Sequence, residues 1–84
     1  MKINIPHTNK NSHKNIIGLR LRNHRKEHKI TQEHLSARLQ LQGLSIDRTT
    51  ISKIERGERL VLDYEIVAIA KALNVEIKWL LTGE

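Results

Sequence analysis

Residues 47–57 place Thr49, Ser52, Lys53 and Arg56 where a helix would gather them on one side, with Arg48 beside its N-terminal end and Ile51 and Ile54 on the other side. The reason is the α-helical turn of about 100° per residue. Guanidinium, ammonium and hydroxyl groups can hydrogen-bond base edges and phosphates, so a short helix with this outer face is shaped to enter a DNA major groove. A solvated charged face on an ordinary core helix would read the same way in this segment alone, and the preceding residues shift the balance.

Asp47 is placed to cap the start of that helix with its carboxylate, and Gly57 can take the left-handed conformation that ends it. Upstream, Thr31 precedes a second short helical pattern in which Leu35 and Leu39 share a face. Gly43 lies between the two, which makes a helix-turn-helix pattern. The same periodicity predicts a first helix over 15–28, with Ile17, Leu21, His24 and His28 on one stripe, and a second over 32–42. A fourth helix is predicted over 64–73, with Asp63 as cap, and a fifth over 77–81. Apolar staples are expected at Ile30 with Leu35, Ile46 with Ile51, Leu62 with Val67 and Val75 with Leu80. Leu80 reads as core cover and Trp79 as a candidate interface residue. No strand pattern competes, and residues 1–14, rich in Asn, Lys and His, read as a flexible basic arm ahead of a single domain over 15–84.

Four pieces, in this order and spacing, carry a resemblance: Ile17-Gly18-Leu19-Arg20-Leu21-Arg22, Ile30-Thr31-Gln32-Glu33-His34-Leu35, Thr50-Ile51-Ser52-Lys53-Ile54-Glu55-Arg56-Gly57 and Ile69-Ala70-Lys71-Ala72-Leu73-Asn74-Val75. From Ile17 to Leu81 the chain resembles the phage-repressor and Cro-type helix-turn-helix regulators, the xenobiotic-response-element-like family. The resemblance implies an all-α, five-helix, lambda-repressor-like fold. It implies sequence-specific binding of double-stranded DNA and transcriptional regulation, as a repressor, by a homodimer on a two-fold related site. It puts Arg48, Thr49 and Lys53 at base-contacting positions and Gln32 at a phosphate, where the free N–H groups of a helix N-terminus also favour an anion. Ser52, Arg56 and Arg59 are the further phosphate candidates. Arg25 and Glu55 map onto an ion pair that ties the first helix to the recognition helix.

Three departures from the family pattern stand out. The stretch between Leu39 and Ile51 is several residues longer, Lys29 replaces the usual helix-ending glycine, and His34 replaces the glutamate that would complete a capping box.

Composition narrows the alternatives. The 84 residues suit one small domain, and the absence of cysteine removes disulfide and thiolate chemistry. Net charge is +6, and nine of the fifteen Lys and Arg lie in residues 1–39 against two acids, which suits a polyanionic partner. There is no apolar run long enough for a bilayer, so no membrane partner is expected and a cytoplasmic location is. Nucleophile elbows, phosphate loops and paired-carboxylate motifs are missing, so no enzyme and no cofactor are expected. His24 and His28 have the i, i+4 spacing of a helical metal pair, but no Cys, Asp or second histidine pair completes a shell; no metal is expected, and His24 reads as a partly buried, hydrogen-bonded histidine. The rival function is an antitoxin-type module that binds a toxin and represses its own operon.

Overall fold

A computed structural model describes residues 13–84; the predicted basic arm lies almost wholly outside the described residues. Five helices follow one another: α1 (Gly18–Glu27), α2 (Gln32–Leu41), α3 (Arg48–Glu55), α4 (Asp63–Leu73) and α5 (Ile77–Thr82), with no strand among the described residues. The all-α, five-helix architecture agrees with the periodicity. The core is formed by Leu21 of α1, Leu35 and Leu39 of α2, Ile51 and Ile54 of α3, Ile69 and Leu73 of α4, and Leu80 of α5, together with Ile17, Ile30 and Ile46 from the connections. Each large aliphatic side chain taken from water in this way contributes about 1.5–3 kcal/mol before the entropy of ordering is counted.

The helix ends share one device. After α1, α2, α3 and α4 the chain turns through a residue with positive φ, at Lys29, Gly43, Gly57 and Asn74. In each case two backbone bonds close the turn, as at α1, where Lys29 N–H donates to Lys26 O and Ile30 N–H to Arg25 O. This is the Schellman arrangement, which satisfies the last carbonyls of the helix. Glycine at 43 and 57 takes the left-handed conformation freely, and asparagine at 74 tolerates it. Lys29 adopts it at φ 57 although its Cβ crowds the backbone there. The next residue of the turn is tied to the cluster behind it, since Arg25 Nη1 donates to the Ile30 carbonyl.

Two helix starts differ from the sequence reading, and the ends of α1, α2 and α5 shift by one residue. Helix α1 begins at Gly18 instead of 15, because the Asn15 side chain folds over the start: its Oδ1 accepts the N–H groups of Ile17 (3.1 Å) and Gly18 (2.7 Å). Helix α4 is capped at Leu62, and Asp63 is its first helical residue, with its carboxylate accepting the N–H of Tyr64. The work of the cap passes to Glu65, whose Oε1 accepts the Leu62 N–H at 2.9 Å. The apolar staple moves back by one residue as a result: Val61 and Ile66 pack on the core, whereas Leu62 and Val67 are exposed. The other staples lie as the sequence places them, with Ile30, Leu35, Ile46, Ile51 and Leu80 buried and Val75 packed against the core.

The additional length between Leu39 and Ile51 is absorbed by a connection over residues 42–47. Ile46 is buried, Leu44 packs on the core, and the Ser36 hydroxyl donates to the Ile46 carbonyl at 2.6 Å. The longer connection is therefore tied to α2 at both ends, and α2 and α3 still pack against each other.

Candidate nucleic-acid interface

Helix α3 is built from its caps and its underside. Asp47 Oδ1 accepts the Thr50 N–H at 2.8 Å, and hydrogen bonding to Thr50 holds the Asp47 carboxyl below its ordinary pKa. The Thr31 hydroxyl caps α2 in the same manner, accepting the His34 N–H at 3.0 Å. With Ile51 and Ile54 each 1% exposed, the helix is seated on the core. Arg48, Thr49 and Lys53 are left exposed on its outer side, and Ser52 is half-buried beside them. The Arg48 guanidinium lies 3.9 Å from Glu33 at the start of α2, with both side chains about two-thirds exposed. An exposed pair of that kind contributes little and leaves Arg48 able to turn towards another acceptor.

The far end of α3 is clasped by α1. Arg25 Nε and Nη2 donate to the two oxygens of Glu55 at 2.6 and 3.0 Å, and Arg25 Nη1 donates to the Ile30 carbonyl at 2.9 Å. Both side chains are nearly removed from solvent. Gln32, at the first position of α2, donates to Glu55 Oε1 at 3.1 Å, so one carboxylate joins three helices. Asn15 adds a second tie: while its oxygen caps α1, its Nδ2 donates to the carbonyls of Ile54 (3.0 Å) and Arg59 (2.9 Å). Gly18 allows the approach, since a Cβ there would run into the Ile54 carbonyl.

After α3 the basic side chains are engaged by carboxylates. Arg56 makes a two-pronged contact with Glu58 at 2.9 and 3.1 Å and also reaches the Ser52 hydroxyl. The Arg56 hydrogen bonds hold the Glu58 carboxyl below its ordinary pKa. Arg59, in the connection before α4, places Nη1 and Nη2 on the two oxygens of Glu65 at 2.9 and 3.0 Å. Glu65 is buried, and the Arg59 guanidinium draws its carboxyl below the usual range. Of the residues singled out in the sequence, then, Arg48, Thr49 and Lys53 share an open face, Arg25, Glu55 and Gln32 form one cluster behind it, Ser52 and Arg56 are hydrogen-bonded to each other, and Arg59 braces the turn into α4. Asn15, Glu58 and Glu65 were not singled out for these ties. Asn15 carried the one usable signal, a capping residue type ahead of an apolar stripe.

His24 is half-buried on the opposite flank of α1. Its ring stacks on that of His28 at 4.1 Å and meets the edge of Trp79 at 5.3 Å. Burial, and next the proximity of His28, lower the His24 pKa. Trp79 is itself half-buried against the core, so its indole is engaged within the chain. Among the described residues no group of three or more His, Cys, Asp or Glu is arranged to hold a metal ion, and no helix is long and apolar enough to cross a membrane.

The order of the helices, the capped α2–α3 pair and the exposed outer face of α3 define a helix-turn-helix domain. Residues 21–80, well over half of the chain, match a helix-turn-helix family model (HTH_3). The chain belongs to this Cro/C1-type, xenobiotic-response-element-like family, which consists of DNA-binding transcription regulators and not of enzymes. No curated protein and no solved structure matches the chain.

Proposed function

We propose that this protein binds a specific sequence of double-stranded DNA with α3 in the major groove, and that it represses transcription as a homodimer on a two-fold related site. The observation that carries the reading is the division of α3: Ile51 and Ile54 are buried beneath it, and Arg48, Thr49 and Lys53 stand exposed on its outer side. An arginine there can make a bidentate contact with guanine, and the threonine methyl can pack on thymine. The clasp of Arg25, Glu55, Gln32 and Asn15 fixes the angle at which α3 leaves the bundle, which is what a short recognition helix needs to hold a register on the duplex. Exposed Leu60, Leu62, Tyr64 and Val67, at the turn into α4 and along its first two turns, supply apolar surface for a protein contact, and a second copy is the occupant the two-fold reading requires.

The test begins with selection of bound duplexes from a random pool, followed by binding of Arg48→Ala, Thr49→Ala and Lys53→Ala to a panel of singly substituted sites. Each variant is expected to lose about 1–3 kcal/mol on the preferred site and to relax preference at one base pair. Wild-type affinity should fall with salt at a log–log slope of roughly −4 to −7, from about four to eight phosphates per dimer. Uniform losses across the panel for Arg48→Ala and Lys53→Ala would refute the recognition-helix assignment. A slope near zero would refute DNA binding itself. Recovery of the chain as a one-to-one complex with an unrelated small protein, in place of a homodimer, would favour the antitoxin role.

A further inference from the structure

An open groove runs along α1 and across to α3, and its walls include Arg22 and Lys26 of α1, Gln32 of α2, and Ser52 and Arg56 of α3. The cations on its two sides differ. On the α3 side, Arg56 is held by Glu58 and Ser52, so much of its charge is answered within the chain. On the α1 side, Arg22 and Lys26 are exposed, and neither forms an ion pair with a carboxylate among the described residues. Four residues apart, they sit one turn above the other on the flank of α1 next to the buried Gly18 and Arg25, the residues that face α3. Glu27, the one other acid besides Glu55 in the groove wall, follows Lys26 on the helix and projects about 100° round from it.

An unpaired cation gains a partner when a phosphate arrives, whereas a paired one must first give up a carboxylate. Resting on the reading that α3 faces duplex DNA, we propose that Arg22 and Lys26 form a phosphate-holding strip. One strand of the duplex backbone lies along the groove between α1 and α3, held from the α1 side. The strip anchors the duplex without reading bases, from cations that, unlike Arg59 on Glu65, have no carboxylate to give up first.

The experiment uses the full chain and a duplex selected from the random pool. Arg22→Gln, Lys26→Gln, the double variant and Lys71→Gln are titrated against that duplex and the substituted panel over a range of salt. Lys71 is exposed on α4 and lies outside the groove wall. The expected result is an equal loss of affinity on every site, unchanged base preferences, and a salt slope shallower by about 0.9 for each phosphate contact removed, with the double variant losing the sum. Lys71→Gln should keep the wild-type slope, and urea melts should be alike because the substituted side chains are exposed. If wild type shows a steep slope and the double variant keeps it, the strip is wrong while DNA binding stands. The strip is equally wrong if Lys71→Gln flattens the slope as much as Arg22→Gln does, or if the α1 variants change which base is preferred. A wild-type slope near zero overturns this proposal together with the DNA reading.

Discussion

Removing one member of the Arg25–Glu55 pair should cost more than any surface substitution in this protein, and removing both should cost less than the two losses added. The Glu55 side chain is 2% exposed and that of Arg25 9%. In Arg25→Ala the carboxylate stays in place with the Gln32 amide as its remaining side-chain partner. In Glu55→Ala the guanidinium keeps the Ile30 carbonyl alone. Stranding a buried charge in this way costs about 3–5 kcal/mol. A domain of 84 residues has a total stability of roughly 4–13 kcal/mol, so either variant gives up a large share of its margin. The double variant buries no lone charge. What it leaves is one carbonyl and one amide short of a partner, each at about 1–3 kcal/mol and each able to recruit water. Singles that add to about 6–10 kcal/mol against about 2–6 kcal/mol for the double variant leave a coupling energy of about 4 kcal/mol. The assay is urea unfolding of wild type, both singles and the double, with the slope of each transition checked for constancy. Should an alanine variant be unfolded without denaturant, Arg25→Gln with Glu55→Gln closes the same cycle at lower cost. Additivity within about 0.5 kcal/mol would show that the two charges, although in contact, do not depend on each other, and the clasp of α3 by α1 would have to rest on Asn15 and packing.

Lys29→Gly should raise stability by about 0.5–1 kcal/mol, because φ 57 costs a lysine more than the added freedom of glycine costs in the unfolded chain; a loss in urea melts would mean that its stem packs usefully. A pH dependence should trace to His24, whose pKa burial and His28 hold down against the opposing Leu73 hydrogen bond and Glu27. The unfolded chain then takes up that proton first as pH falls through about 6.5, so the stability tied to neutral His24 is complete above this value and lost as pH falls through the folded pKa. His24→Phe should flatten the decline that sets in below about pH 6.5, followed by the fluorescence of the single tryptophan at its edge, and identical profiles for the two proteins would exclude His24 as the source.

What could be read from the residues alone was local. Asp47 and Thr31 cap because a short oxygen-bearing side chain just before a helical stripe reaches the third N–H beyond it wherever the helix later packs. The staples at Ile30, Ile46 and Val75 follow from the same few residues of spacing. The outer face of α3 followed from periodicity once Ile51 and Ile54 marked its underside. The start of α4 was legible only to within one residue, because Asp63 is a good cap by type and Glu65 became the better one only when the backbone brought its carboxylate to the Leu62 N–H. The family resemblance pointed to Glu55 as the partner of Arg25, but which carboxylates answer Arg56 and Arg59 was not legible in the residues. Arg56 and Arg59 both follow the recognition helix, both have several acids in reach along the chain, and both looked available to a phosphate. The turn at Gly57 folds Glu58 back onto Arg56, and the packing of α4 against the core buries Glu65 where Arg59 meets it. Charge is a property of the residue and can be counted in a sequence. Whether that charge is free depends on partners several residues to half a chain away, and only the folded backbone selects among them.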